Sequence, residues 1–382
     1  MQDSVQNPKI HDFVVIGAGI AGASVAWELS EKASVLLLER ESQPGYHTTG
    51  RSAALYMATY GTAAIRALTR ASRAFYDAPP PEFGDDPILT PRGVLHVAGL
   101  DQLDLLEAAW SELSGRSTDI RRVAQEELLA TVPCLRPEAA AAGIAEDDAA
   151  DIDVHALHQG YLRGFRRRGG ALRTDAGVVA LARADGCWTV TLADGATVAA
   201  RNIVNAAGAW ADELAALAGA RPIGLEPRRR SAFIFSPPEG TDAARWPAVV
   251  GIDESYYFKP DAGQLLGSPA NADPAPPHDV VAEELDVAIG IHAIEQATTM
   301  TIRRPHRTWA GLRSVVDDGD FAIGWDGEVE GFFWLAAPGG YGIQSAAGTA
   351  LLARSLLLGE AMPASLADEG LDLASVAVSR LR

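Results

Sequence analysis

Gly17, Gly19 and Gly22 stand in the run FVVIGAGIAGASVAWEL, between β-formers and a helical stretch. Glycines at that spacing do backbone chemistry. The first lets the chain turn, the second lets the backbone approach a pyrophosphate, and the third lets a helix pack on a strand. N–H groups at the helix start then face the phosphates. Glu39 ends the next apolar strand about twenty residues on, where a carboxylate can bind a ribose 2′-hydroxyl. A dinucleotide is expected here, and the motif alone leaves NAD(P) and FAD open.

Three further stretches favour FAD. Gly339-Gly340-Tyr341-Gly342 is expected to open the C-terminal helix and so lay a second helix N-terminus beside the electron-rich end of a flavin ring. NAAGAW, with Ala207, Gly208 and Trp210, offers a third close backbone approach, and Arg40 follows Glu39. Arginines stand in two further stretches. Arg230 closes RRR and Arg313 lies in AGLRS. A planar guanidinium takes a carboxylate through two parallel hydrogen bonds, and two of them in one cleft would fix the direction of the Cα hydrogen. Alone, Arg230 reads as one of three arginines solvating a strand edge.

The elements that must position these residues follow from the pattern. Residues 12–17 and 34–38 read as apolar strands around a helix at 20–30, a β-α-β unit. Helices are expected at 63–77, 151–172 and 281–299, with helical patches over 101–131. Arg166, Arg167 and Arg168 read as a solvated helix end. Residues 188–210 give two alternating strands around an Asp-Gly turn, and 231–268 is strand-rich. Residues 332–359 give a strand, a glycine turn and a long helix. Nucleotide-binding features at the start, near 200 and at the end imply a discontinuous dinucleotide domain threaded with a substrate domain. The expected fold is α/β, with a GR2-type Rossmann-like domain (1–54, 151–215, 310–382) and an inserted mixed β-sheet domain (55–150, 216–309).

The 382 residues are 48% hydrophobic and 21% charged, an ordinary globular composition. The net charge of −18 repels phosphate backbones and anionic lipid, which disfavours nucleic acid as a partner. Cys134 and Cys187 lie far apart with no ligand spacing, so neither a disulfide framework nor a metal site is expected. The N-terminus lacks a basic region followed by an apolar core, and no apolar run spans a bilayer. A cytoplasmic protein, soluble or peripheral at the inner membrane, is expected.

The stretches VVIGAGIAGAS, ERESQPGYHTTGRSAA, DIDVHALHQGYLRG, VNAAGAW, RRSAFIF, LLGSPANADP, TIRRP, TWAGLRS and GGYGIQ run in order along nearly the whole chain. In them the sequence resembles the D-amino acid oxidase/glycine oxidase superfamily of FAD enzymes, and most of all bacterial D-arginine dehydrogenases. The resemblance implies oxidation of a D-amino acid by hydride transfer from Cα to flavin N5, then hydrolysis of the imino acid to a 2-oxo acid and ammonia. It implies that Arg230, Arg313 and Tyr257 hold the substrate carboxylate. Tyr60 would lie on a mobile covering loop, and Gly340 and Gln344 would contact the amine side. Around FAD it places Gly17, Gly19, Ile20, Ala21 and Gly22, then Glu39 and Arg40, then Thr48, Thr49, Gly50, Ser52, Ala53 and Ala54. Val178, Ala207, Gly208, Trp210 and Arg313, and the turn Gly340, Tyr341, Gly342, Ile343 and Gln344, complete that set.

Two departures redirect the substrate. The family glutamate that reads a basic side chain has no counterpart in LTPRGVLHVAG: Val94 falls near its position, and no acid lies between Arg92 and Asp101. The histidine after RSAA is Leu55, and a shifted alignment brings His96 nearby without restoring an acid. A buried cation without a counter-charge is costly, so neutral or apolar side chains are expected. Residues 300–330 hold no cysteine, so FAD is expected to be non-covalent. The electron acceptor is a quinone or another carrier, or oxygen, and the chain a monomer or homodimer. The alternatives are an oxygen-using amine oxidase of glycine, sarcosine or other secondary amines, a flavin-bearing subunit needing partner chains, and an NAD(P)-binding structural protein.

Overall fold

Runs that are apolar throughout, not alternating, build the first sheet. All of Val35–Leu38 and Phe332–Ala336 are buried, as expected of strands covered on both faces. The computed structural model describes residues 9–114 and 120–382, so the reading of the first eight residues as no leader lies outside them. Five parallel strands run in the spatial order Ala171–Arg173, Val35–Leu38, Ile10–Ile16, Thr197–Asn205, Phe332–Ala336. Cys187–Leu192 pairs antiparallel with the first half of Thr197–Asn205, and Val178–Ala184 adds beside it. Ala322–Trp325 pairs antiparallel with Phe332–Ala336.

Successive side chains of Ile10–Ile16 point to opposite faces. Phe13 and Val15 join Val25, Leu68, Phe165 and Leu352, from helices Ile20–Leu29, Ala63–Asp77, Val154–Arg167 and Ala346–Leu358. Val14 and Ile16 join Trp188, Leu214 and Trp334 on the other face. The helix starts follow capping chemistry. Thr62 accepts from the N–H of Ile65, and Asp153 accepts from that of Ala156. Ile20–Leu29 has no such cap: its N-cap is Gly19.

The second sheet is mixed and has nine strands. Glu226–Phe235 lies antiparallel to Arg307–Val315 on one edge and to Gln264–Ser268 and Asp273–Pro274 on the other. The sheet continues through Tyr257–Asp261, Ala248–Gly251, Val94–Ala98, Ala142–Glu146 and Ile120–Ala124. Helix Glu284–Ala297 covers one face, with Ile294 packed against Phe233 and Leu265. Leu55–Tyr56, Ala150–Ile152 and Leu89–Pro91 form a small third sheet.

Several elements depart from expectation. Strand Arg307–Val315 reaches past position 310 yet bonds within the second sheet, and helix Ala63–Asp77 packs in the core of the first. The patches over 101–131 resolve into helix Leu103–Leu113, strand Ile120–Ala124 and helix Gln125–Thr131. The helix expected from 151 begins at Val154, because 150–152 pairs as a strand. Arg166, Arg167 and Arg168 are exposed at the helix end, as expected, and Arg168 also lays its guanidinium 4.2 Å from the Trp27 ring centroid and donates to the Trp27 carbonyl.

Candidate active site

The loop between Ile10–Ile16 and Ile20–Leu29 is tight because nothing larger than hydrogen fits. A Cβ on Gly17, whose φ is +102°, would lie 2.4 Å from the carbonyl oxygen of Ala206, and one on Gly22 would lie 1.8 Å from that of Gly17. Glu39 is buried and holds this loop: its carboxylate accepts from the N–H of Ala18 at 2.8 Å and of Glu41 at 3.0 Å. Thr49 Oγ1 accepts from the N–H of Ile20 at 3.0 Å. His158 supports the loop from helix Val154–Arg167, with Nε2 2.9 Å from the Ala18 carbonyl. Burial lowers its pKa, and the contact with Ala18 only partly opposes this. The imidazole is therefore neutral, and with Nε2 facing a carbonyl it is a donor.

A cavity of about 510 Å³ opens beside this loop and takes residues from both sheets. Gly17, Gly19, Ile20, Ala21, Glu39, Arg40, Thr48, Thr49, Ser52 and Ala53 line it. So do Val178, Ala207, Gly208, Trp210, Gly340, Gly342 and Ile343. Arg40 stands 4.2 Å from the Trp210 ring centroid. Gly22, Gly50, Ala54 and Tyr341 do not line the cavity. Gly22 is consumed in helix-strand packing, and Tyr341 packs its ring on Tyr60 at 4.8 Å. The glycine turn at 339–342 is not itself a helix start, since the terminal helix begins at Ala346 behind Ser345.

Arg230, Tyr257 and Arg313 line the same cavity. Arg230 pairs with Gly311 and Arg228 with Arg313, so Arg230 and Arg313 project from one face of two adjacent strands. A Cβ on Gly340 would lie 2.7 Å from the Arg313 guanidinium carbon, so the glycine gives that side chain its room. Arg313 Nη1 donates to the Tyr60 hydroxyl at 3.2 Å, and Arg230 Nε donates to the Asn271 carbonyl at 2.6 Å. Among the described residues no carboxylate lies within ion-pairing distance of either guanidinium. Burial and the neighbouring Arg313 lower the pKa of Arg230. Burial also acts against the charge on Arg313, but Tyr60 and Tyr257 outweigh it and raise its pKa. The pair is a cationic site with free donors.

Tyr60 and Gln344 sit differently. Tyr60 reaches the site through Arg313. Gln344 is buried outside the cavity lining, and its amide donates to Thr69 Oγ1 at 3.0 Å and to the Tyr60 carbonyl at 3.4 Å. In this geometry it props the Tyr60 segment. Val94, Met57, Ala149 and Ala248 form a buried apolar cluster against which Leu55, Tyr60 and Val250 pack. His96 shares Val94's face, but burial pushes its pKa down to about 4.

Sequence reasoning missed several residues. Glu146 faces Val94 across the pairing of Val94–Ala98 with Ala142–Glu146. It is 1% exposed and accepts from the N–H of Ala58 at 2.6 Å and from the Thr59 hydroxyl, so its carboxylate is spent on the Tyr60 segment. Tyr46, His47, Arg51 and Gly177 also line the cavity. Arg51 donates to the carbonyls of Val280 and Ala310, and Thr48 Oγ1 to that of Leu312, which ties this segment to the strand bearing Arg313. The histidine in DIDVHALH and the run HTTGR were visible as motifs; only distant pairing gives them these contacts.

The sequence model of the family described as FAD dependent oxidoreductase matches residues 12–356. Glycine oxidase from Geobacillus kaustophilus superposes with a TM-score of 0.82 at 22% identity, covering 97% of this chain and 98% of that one. L-alpha-glycerophosphate oxidase from Mycoplasma pneumoniae, solved with FAD bound, gives 0.82 at 19%, covering 92% and 95%. In sequence, mitochondrial dimethylglycine dehydrogenase of Homo sapiens is 26% identical over 266 residues, 67% of this chain but 30% of that protein's length. The chain thus spans about a third of the length of that relative.

Proposed function

Because the chain belongs to the FAD-dependent oxidoreductase family, we propose that it oxidises D-amino acids with neutral or apolar side chains to imino acids, which water converts to 2-oxo acids and ammonia. The observation that carries this reading is the pair Arg230 and Arg313, two half-buried guanidiniums lining one cavity with no carboxylate partner among the described residues. The residues present fit FAD. The Gly17 turn leaves no room for a Cβ, and Gly19, with no side chain of its own to cap the helix, lines the cavity at the helix start. Glu39, Arg40, Val178 and Trp210 would hold the adenosine part, and Ser52, Ala53 and Gly340 the flavin part. Cys134 and Cys187 lie outside the cavity lining, consistent with non-covalent binding. FAD, when bound, supplies the acceptor for the hydride from Cα.

The chain's own part is orientation. Arg230, Arg313 and Tyr257 grip the carboxylate, and Tyr60 and Gly340 bound the remaining space; a fixed carboxylate fixes the Cα–H direction. Burial, and then Tyr60, raise the pKa of the Tyr341 phenol, so it remains protonated and cannot act as a base. No obligatory protein base is needed, since the substrate amine can lose its proton to water before oxidation. Tyr60, whose hydroxyl accepts from Arg313, packs on the apolar cluster of Met57, Val94 and Ala248, and this side of the site would suit an apolar side chain. Among the described residues no helix is long and apolar enough to cross a membrane.

Anaerobic bleaching of the flavin by a panel of D- and L-amino acids, glycine and sarcosine tests this reading. Bleaching by D-leucine and D-methionine, with D-arginine at least about tenfold slower because an unpaired cation is costly to bury, is the expected result. Faster bleaching by D-arginine overturns the side-chain assignment; bleaching by sarcosine alone moves the substrate to secondary amines. Return of colour on admitting air identifies an oxidase, and its absence a dehydrogenase. A second expectation concerns the cofactor. Glu39→Ala removes both the loop support and the ribose contact, so purified protein should lose most of its flavin, with the substrate order of any residual holoenzyme unchanged. Full flavin content after gel filtration would count against that role.

A further inference from the structure

Along one edge of Glu226–Phe235 the hydrogen-bond ladder is interrupted. Arg228 and Arg229 pair with Pro274 and Asp273, and Phe233 to Phe235 pair with Gly267 to Leu265, which leaves 230–232 without a strand partner there. Asn271 fills the gap. Its Oδ1 accepts from the N–H of Ser231 at 2.9 Å, and its carbonyl accepts from Arg230 Nε at 2.6 Å. Its Nδ2 donates to Asp273 at 2.7 Å and to Asp286 at 3.0 Å. The preceding Ala270 has φ +50°, a left-handed conformation that a non-glycine residue keeps only when its surroundings hold it. Ser268 contributes, accepting from the N–H of Ala270 and donating to the carbonyl of Ser231.

Asp286 anchors the arrangement from helix Glu284–Ala297. It is 7% exposed, and one oxygen accepts from Arg229 Nε at 2.8 Å, from the Ser231 hydroxyl at 2.8 Å and from Asn271. Arg229 takes the adjacent carboxylates, while Arg230, next in sequence, receives only a carbonyl. A guanidinium has five N–H donors in a rigid fork. With Nε fixed on the Asn271 carbonyl, which is outside the cavity lining, the two Nη groups have no partner among the described residues, while Arg230 lines the cavity beside Arg313. We infer that Asn271 and Asp286 are positioning residues that aim Arg230 at the substrate carboxylate. The inference rests on the reading of Arg230 and Arg313 as the carboxylate site, and extends it to residues outside the cavity.

The test uses FAD-loaded protein and isothermal titration with two unreactive probes, isocaproate and its neutral amide. Asn271→Ala should weaken isocaproate about tenfold or more while leaving the amide within about twofold, because only the charged probe needs the fork. Flavin content should be unchanged, and KM for D-leucine should rise more than kcat falls. Asp286→Asn keeps the shape and an acceptor, and should weaken isocaproate about threefold. It carries the test if Asn271→Ala fails to accumulate as holoprotein. Arg230→Ala is the control. If it weakens isocaproate while the other two variants bind like wild type, the inference is overturned. Equal weakening of both probes also overturns it, since that is the mark of a merely structural role. If Arg230→Ala itself binds isocaproate normally, the carboxylate reading fails and takes the inference with it.

Discussion

Arg313→Ala is expected to raise KM for amino acids by roughly 30- to 1000-fold, the equivalent of about 2–4 kcal/mol of charge-assisted bidentate bonding. Arg313 is half-buried, and among the described residues its one hydrogen bond goes to Tyr60, which leaves its other donors for a ligand. The substitution also leaves Tyr60 without its partner, and kcat should fall by a smaller factor as orientation loosens. Flavin content should survive, because the Gly17 loop, Glu39 and Thr49 are held by one another and not by Arg313. Steady-state kinetics and the flavin-to-protein ratio check both halves. Unchanged KM would remove Arg313 from the carboxylate site.

Gly22→Ala should do the opposite, abolishing flavin loading whatever the substrate. Inside an exposed helix this substitution would stabilise by about 1 kcal/mol. Here the new methyl would stand 1.8 Å from the carbonyl oxygen of Gly17, a backbone atom that cannot swing away. Either helix Ile20–Leu29 lifts off the sheet or the Gly17 turn reopens, and both spoil the phosphate cradle. Overpacking of this kind costs about 1–3 kcal/mol or more, so the melting temperature should also drop. Flavin absorbance after purification and a thermal melt give the answer. Yellow protein with unchanged stability would mean that the close approach is relaxed in solution.

What could be read from the sequence divides by the distance between partners. The turn at Gly17 and the acid at Glu39 belong to one β-α-β unit, and local pattern suffices to find them. Arg230 and Arg313 share a face only through the pairing of Glu226–Phe235 with Arg307–Val315, about eighty residues apart. No spacing rule announces that; the resemblance supplied it. Glu146 escaped because its position opposite Val94 also depends on long-range register. Gln344 shows the converse: its place in the GGYGIQ turn suggested substrate contact, while its side chain points away, to Thr69 and Tyr60. The edge strand Val178–Ala184 carries no clear signal, because VVALARA is largely exposed and lacks a strong alternation.

The cavity draws on residues 16–21 and also on residues 338–343. On a ribosome adding about 5–20 residues per second, the phosphate loop would wait roughly 15–60 s before its opposite wall exists. Cofactor capture then waits until residues 338–343 have emerged and folded back. From that point flavin supply would draw on a pool of empty sites, with mass action stabilising each one filled.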